Sequence, residues 1–170
     1  SDLGKITTDL ALKVKDKKNM EYRGSFATQD LDVGTIFNIE TYINNLTSKA
    51  EVRGHGFDFK TMDLTVNGII NSLDFYGNNY NEIDIAGSLS DKKFNGIVKI
   101  NDELIKLDFN GIIDYSHVIP AYKFIAVIDS AQLNKMNLIS KDSSMYLSTH
   151  LDIDLSGNQF DNLQGIVKLD

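Results

Sequence analysis

The sequence predicts an all-β protein of about ten antiparallel strands. Apolar and polar residues alternate with period two through most of its 170 residues. Turn residues interrupt this alternation at intervals of roughly 8–12 residues, which is the spacing of an all-β domain. Each strand has one apolar and one polar face, and that pattern is typical of antiparallel sheets.

The first strand carries Ile6, Leu10 and Val14 on one face, and a polar turn at residues 16–19 follows it. A second tight turn is predicted at residues 101–103. The other alternating stretches are 20–26, 50–52, 62–66, 83–89, 94–100, 105–113 and 145–155. We expect three glycines to lie in register on the apolar face, namely Gly24, Gly96 and Gly111.

Two segments break the alternation and space their Leu, Val and Ile residues more helically. They are Asp30–Phe37 and Ser130–Leu138, and each begins with a good N-cap residue. The sequence therefore predicts two short helices that close one end of the sheet.

The two predicted helices belong to a wider internal similarity. Residues 20–66 resemble residues 120–167 at an offset of about 100 residues, and the chain is otherwise a single fragment, 1–170. The aligned pairs are Tyr22 with Tyr122, Gly56 with Gly157, Phe59 with Phe160, and Met62 with Leu163. Two interpretations stay open, a true repeat of an elongated array and an accidental match between two β-meanders.

Composition excludes several classes of function. There are 17 basic and 24 acidic residues, a net charge of −7, and this balance argues against nucleic acid as a partner. The absence of cysteine excludes disulfides, thiolate metal sites and a cysteine nucleophile. No stretch approaches the ~18 consecutive apolar residues of a membrane span. The start at Ser1–Lys5 lacks the features of a signal peptide and suggests a piece cut from a longer protein.

No catalytic or metal site can be assembled from the sequence. His55, His117 and His150 have no second ligand at suitable spacing, and Ser116 beside His117 is only a dipeptide. We therefore expect no enzyme activity, no metal and no cofactor.

Residues 152–157 resemble the start of a calcium-binding loop, with oxygen-bearing side chains at alternate positions before a glycine. The closing glutamate of such a loop is replaced here by Leu163. The clean alternation of Leu151, Ile153 and Leu155 favours a strand whose polar face carries Asp152 and Asp154.

The apolar face is the remaining candidate site. Its predicted lining residues are Leu10, Leu12, Val14, Phe26, Leu64, Val66, Ile83, Ile85, Val98, Ile100, Leu107, Phe109, Leu147, Leu151, Ile153 and Leu155. Alternation alone leaves two interpretations open: a sealed core between two sheets, or a trough wide enough for acyl chains.

Three stretches resemble the TamB proteins of the AsmA-like superfamily, specifically those of the Bacteroidetes type. They are Phe26–Gly34, Asp129–Leu138 and the turn at Leu155–Gly165. The resemblance implies an elongated, strongly curved sheet that forms an open apolar groove. It also implies a periplasmic segment of a protein anchored in the inner membrane. Such proteins are thought to move phospholipid towards the outer membrane, or to assist outer-membrane protein assembly with a barrel partner.

The resemblance implies phospholipid acyl chains as the ligand and a barrel partner bound through a region outside this chain. We expect the fragment to be a monomer that can self-associate through edge strands or an exposed groove. Two other classes stay open. One is a structural or adhesive β-array with a sealed face. The other is an all-β carbohydrate-active or carbohydrate-binding module. The absence of tryptophan disfavours it, and so do the scattered tyrosines (Tyr76, Tyr80, Tyr115, Tyr122 and Tyr146).

Overall fold

The computed structural model describes residues 3–14, 20–38, 40–56, 61–139, 145–158 and 162–170. These residues form one sheet of ten antiparallel strands, arranged in the order in which they occur along the chain. The elements are β1 (Lys5–Val14), β2 (Met20–Asp32), α1 (Val33–Phe37), β3 (Ile43–His55), β4 (Asp63–Phe75), β5 (Asn78–Ser90), β6 (Lys93–Asn101), β7 (Ile105–Asp114), β8 (Ala121–Gln132), β9 (Tyr146–Ser156) and β10 (Gln164–Leu169). The predicted fold class is confirmed.

The sheet is open, and extensive contacts between elements link consecutive strands only, apart from α1 on β3. The accessible surface is 11513 Å². A compact monomer of 19.0 kDa exposes about 8,400 Å². The accessible surface exceeds that of a compact monomer because a single-layer sheet leaves both of its faces accessible to solvent.

The two ends of the sheet differ. One end, which we call the helix end, carries α1, the turns at 76–77 and 102–104, and residues 133–139. The other, the turn end, carries residues 91–92, 115–120 and 157–158. The predicted tight turn after Asn101 is confirmed, because Asp102 donates its backbone N–H to the Ile105 carbonyl over 3.0 Å. The polar turn predicted at residues 16–19 lies outside the described residues.

The first predicted helix is confirmed but begins later than expected. α1 starts at Val33, and its N-cap is Asp32, whose carboxylate accepts a hydrogen bond from the Thr35 N–H at 2.9 Å. That hydrogen bond lowers the pKa of Asp32. Asp30, the expected cap, lies instead within β2, at a register shift between Thr28 and Leu31. β2 continues beyond the register shift, where Leu31 and Asp32 pair with β3.

The second predicted helix is wrong. β8 continues through Gln132, and residues 133–137 form hydrogen-bonded turns rather than a helix. Ala131 pairs with Ile105 of β7 and with Leu147 of β9, so cross-strand pairing holds this segment in the strand. Tertiary pairing has overridden the local helical spacing.

The proposed repeat has a parallel in the strand registers. β2 and β3 shift register between Thr28 and Leu31, and β8 and β9 shift between Ile128 and Ala131. In both places a long connection follows at the helix end. Phe59 and Phe160 of the aligned pairs lie outside the described residues. The repeat itself stays a prediction.

Candidate functional site

The strand registers arrange one face of the sheet in four cross-strand rows, which we call the apolar face. The row nearest the helix end contains Ile6, Thr28, Ser48, Ile70, Ile83, Ile100, Leu107, Ile128 and Thr149. The second contains Thr8, Phe26, Ala50, Gly68, Ile85, Val98, Phe109, Ala126, Leu151 and Leu169. The third contains Leu10, Gly24, Val52, Val66, Gly87, Gly96, Gly111, Phe124, Ile153 and Val167. The fourth contains Leu12, Tyr22, Gly54, Leu64, Leu89, Phe94, Ile113, Tyr122, Leu155 and Gly165.

All the lining residues predicted from the sequence belong to this one face. Val14 and Leu147 continue the alternation of β1 and β9 beyond the four rows, and the other members stand within them. The predicted register of Gly24, Gly96 and Gly111 is confirmed, because all three fall in the third row. No residue of the four rows carries a charge.

Exposure on the apolar face rises towards the sheet edges. Ile153, on the interior strand β9, is buried although the described residues place no second layer over it. Leu12 and Val14 of β1 are 56% and 61% exposed. Neighbours in a curved sheet can bury one another in this way, so the burial of the interior side chains is consistent with a curved sheet.

A compact cluster covers the apolar face at the helix end. Its buried members are Tyr80, Ile83, Ile105 and Ala131, and the side chains of Leu133 and Met136 pack against them. Sequence reasoning missed Tyr80 and Ala131 as core residues. Tyr80 stands three positions before Ile83, so period-two alternation assigns the two residues to opposite faces. Alanine is too weakly hydrophobic for Ala131 to be recognised as a core residue from the sequence.

Residues 133–139, which form the covering segment, are held by hydrogen bonds to β8 and to the turn between β4 and β5. Met136 donates its backbone N–H to the Gln132 carbonyl over 3.0 Å, close to β8. Further along, the Asn137 amide donates to the Tyr76 carbonyl, in the turn between β4 and β5, at 3.3 Å. The segment therefore reaches along the helix end from β8 to the β4–β5 turn and narrows access to the apolar face there.

Three phenylalanines from the neighbouring strands β6, β7 and β8 contact one another on the apolar face. The ring centroids of Phe94 and Phe109 are 6.4 Å apart, and those of Phe109 and Phe124 are 5.0 Å apart. The glycines of the third row provide the space, since a Cβ on Gly96 would lie 2.9 Å from the Phe94 ring. Aromatic rings lying over strand glycines are a known way of stabilising a sheet that carries them.

A depression is present on the apolar face among the described residues. It measures about 350 Å³ and lies at the turn end of β8 and β9. Its walls are formed by Tyr122, Phe124, Ile153, Leu155 and Leu163. A site with these walls can accept an aliphatic group but offers it few hydrogen bonds.

The buried hydroxyl groups of Thr28 and Ser48, in the row nearest the helix end, are hydrogen-bonded within the protein. The Thr28 hydroxyl donates to the Leu46 carbonyl at 3.0 Å and accepts from the Ser48 N–H at 2.9 Å. The Ser48 hydroxyl lies 2.9 Å from the same oxygen. Neither side chain is therefore available as a polar anchor for a ligand.

The opposite face is polar, and lysine–carboxylate pairs cross it. Lys123 meets Asp154 at 3.0 Å, and Lys168 meets Asp152 at 3.0 Å. The hydrogen bond that Lys123 donates to the Asp154 carboxylate raises the pKa of Lys123. Asp152 and Asp154, the two aspartates of the stretch that resembles a calcium-binding loop, thus lie in a strand and pair with lysines.

Depressions of about 630 Å³ and 880 Å³ also lie on the polar face. The first is lined partly by Arg23, Glu51 and Arg53.

Four tyrosines form two pairs, one at each end of the sheet, and no larger cluster is found among the described residues. At the turn end, Tyr115 and Tyr122 stack edge to face at 5.9 Å, with their hydroxyls 3.2 Å apart. At the helix end, Tyr76 packs on Tyr42 at 5.4 Å. The folded sheet brings each pair together, which the positions of the tyrosines in the sequence do not reveal.

Burial raises the pKa of Tyr80 at the helix end, and the nearby Asp102 carboxylate raises it further.

The three histidines lie apart, two on strands and His117 in the loop before β8. Within the part of the chain that the structure describes, no group of three or more His, Cys, Asp or Glu side chains could hold a metal ion. None of the described helices is long and apolar enough to cross a membrane.

Comparison of the chain with family models, curated proteins and solved structures gives no match. The site is therefore defined by its own geometry, as an uncharged apolar face on a single open sheet.

Proposed function

We propose that this chain is a periplasmic segment of an envelope-spanning protein, anchored in the inner membrane, whose apolar face conducts phospholipid between the two membranes. One observation carries the proposal: four uncharged rows run across an open sheet that the described residues leave without a second layer. The resemblance to TamB proteins, carried by Phe26–Gly34, Asp129–Leu138 and Leu155–Gly165, points to the same function.

The mechanism is passive. Acyl chains lie against the apolar rows while the head groups remain in water, and no covalent step occurs. Each methylene removed from water contributes about 0.8 kcal/mol, so part of an acyl chain is enough for appreciable binding. Because the rows offer aliphatic and phenyl groups and no charged anchor, a chain can shift along them without breaking fixed contacts.

A parent protein of this kind can act on lipid directly or assist outer-membrane protein assembly. In the second case its barrel partner binds through a region outside this chain. The apolar face serves both, since unfolded barrel strands also present apolar side chains.

A structural β-array is the second candidate, and one observation favours it. At the helix end the chain covers its own apolar face with Leu133 and Met136. A sealed face along the whole sheet would leave only the polar turns for function.

Adjacent residues of β10 supply a matched test. Val167 lies on the apolar face and is 48% exposed, whereas Ile166 lies on the polar face and is 60% exposed. A photo-crosslinking amino acid is placed at either position in the purified chain. Each variant is then mixed with vesicles of radiolabelled phosphatidylethanolamine and phosphatidylglycerol. Lipid label captured at residue 167 and not at residue 166 supports the proposal. Equal capture at both positions, or none, contradicts it.

A further inference from the structure

The two ends of the apolar face differ in how far the chain covers them. At the helix end, the side chains of Leu133 and Met136 pack over the buried cluster. At the turn end, the depression of about 350 Å³ beside Tyr122 and Leu155 is open to solvent. A long apolar ligand on this face therefore meets a closed wall at the helix end and open space at the turn end.

The turn end also offers hydroxyl groups next to the apolar face. Tyr122 is a member of the fourth row, and its hydroxyl donates to that of Tyr115 at 3.2 Å. Tyr115 is 50% exposed. Because a tyrosine hydroxyl both accepts and donates, the Tyr115 O–H remains a donor for an oxygen of a ligand.

Hydroxyls at the helix end are placed differently. Those of Thr28 and Ser48, in the row nearest that end, are hydrogen-bonded within the sheet. The tyrosine pair at the helix end, Tyr42 and Tyr76, lies in connections outside the four rows. A polar group of a ligand on the apolar face therefore finds its donor at the turn end.

Charge separates the two ends in the same sense. The described connections at the helix end carry three carboxylates and one lysine, whereas those at the turn end carry one of each: Glu40, Asp102, Glu103 and Lys135 against Asp91 and Lys92. Residues 115–120 contain no acidic residue. An anionic group is therefore repelled more strongly at the helix end than at the turn end.

We propose that a phospholipid on the apolar face lies along the strands, with its phosphate head group at the turn end beside Tyr115 and Tyr122. Its acyl chains then end near the covering segment. This inference rests on the proposed lipid function and adds the orientation in which the lipid is held.

The depth of the apolar face fits this orientation. Successive rows are two strand residues apart, so the four rows span about 20 Å along the strands. Each leaflet of a bilayer core of ~30 Å is about 15 Å deep. Acyl chains laid along the strands therefore fit between the two ends. The reverse orientation would place the phosphate against Leu133, Met136 and the acidic β6–β7 turn.

Isoleucines at the two ends provide matched probes of the orientation. Ile113 lies in the fourth row, whereas Ile100 and Ile128 lie in the row nearest the helix end. Their methyl signals are recorded by NMR as the purified chain is titrated with phospholipid that carries a nitroxide on the head group or near the acyl-chain end. The head-group label should broaden Ile113 before Ile100 and Ile128, and the chain-end label should broaden them in the opposite order.

The outcomes separate the orientation from lipid binding itself. The reverse order, or the same order with both labels, would overturn the orientation while lipid binding stands. If neither label broadens any methyl of the apolar face, the lipid function fails and the orientation fails with it.

Removing both hydroxyls tests the turn end directly. Tyr115→Phe combined with Tyr122→Phe keeps both rings and should weaken binding of a short-chain phosphatidylglycerol about tenfold, because the phosphate loses its donors. Tyr146→Phe, which removes an exposed hydroxyl at the helix end, should leave binding unchanged. An affinity that ignores the double variant, or falls equally in Tyr146→Phe, contradicts the proposal. Circular dichroism on each variant confirms that the fold is retained.

Discussion

Gly111 and Phe124 face each other across β7 and β8 so closely that a Cβ on Gly111 would lie 2.4 Å from the Cα of Phe124. This approach belongs to the third row of the apolar face, where Gly87, Gly96 and Gly111 stand side by side. The Phe109 ring packs on Phe124 beside it. The close packing in the middle of the apolar face therefore requires glycine, because a side chain at these positions would overlap with neighbouring atoms.

Gly111→Ala should destabilise the protein by about 2–4 kcal/mol, measured by urea unfolding. The added methyl meets backbone that cannot move aside, and Gly111 has φ +157°, which side-chain-bearing residues rarely adopt. Gly77→Ala is the control, because its φ is +76° but no atom lies within 4 Å of the added Cβ. That variant should lose only about 1 kcal/mol. Equal losses in both would mean that close packing at Gly111 contributes nothing.

Leu133→Ala should lower the free energy of unfolding by about 1–2 kcal/mol, because its side chain packs on the helix-end cluster. Leu138, in the same segment, is 65% exposed. Leu138→Ala should therefore change stability by no more than about 0.5 kcal/mol. If both variants behave alike in thermal and urea unfolding, the segment does not cover the apolar face in solution.

Stability should fall as the pH rises above 10.0, partly through Tyr80. Burial raises the pKa of Tyr80 above the value of 10.0 that it has in the unfolded chain. Between those two values the folded state holds the proton more tightly, so raising the pH favours unfolding. Tyr80→Phe should flatten this decline when unfolding is measured on either side of pH 10.0. Tyr146→Phe, at an exposed position, should leave the decline unchanged; a decline equally steep in Tyr80→Phe would refute the role of Tyr80.

Period-two alternation was enough to predict the strands, the two faces and the glycine register. It works because each residue's face follows from its position in the strand, whatever the strand pairs with. The same argument failed at Ser130–Leu138. There, local spacing favours a helix, but pairing of Ala131 with Ile105 and Leu147 keeps the strand.

Groups assembled across strands could not be predicted. The contact of Tyr115 with Tyr122 and the reach of Asn137 to Tyr76 depend on strand registers and loop paths. The burial of Tyr80 likewise depends on Ile105 and Ala131, which neighbour it only in the folded sheet.

Isoleucines on both faces allow the most direct test of the proposed lipid face. Ile85, Ile113 and Ile153 lie on the apolar face, and Ile69, Ile97 and Ile125 lie on the opposite face and are exposed there. Methyl signals of these residues are recorded by NMR as phospholipid carrying a nitroxide on its acyl chain is added. The account predicts that the apolar-face methyls broaden while those of Ile69, Ile97 and Ile125 stay sharp. Broadening of the opposite face first, or of neither face, would contradict it.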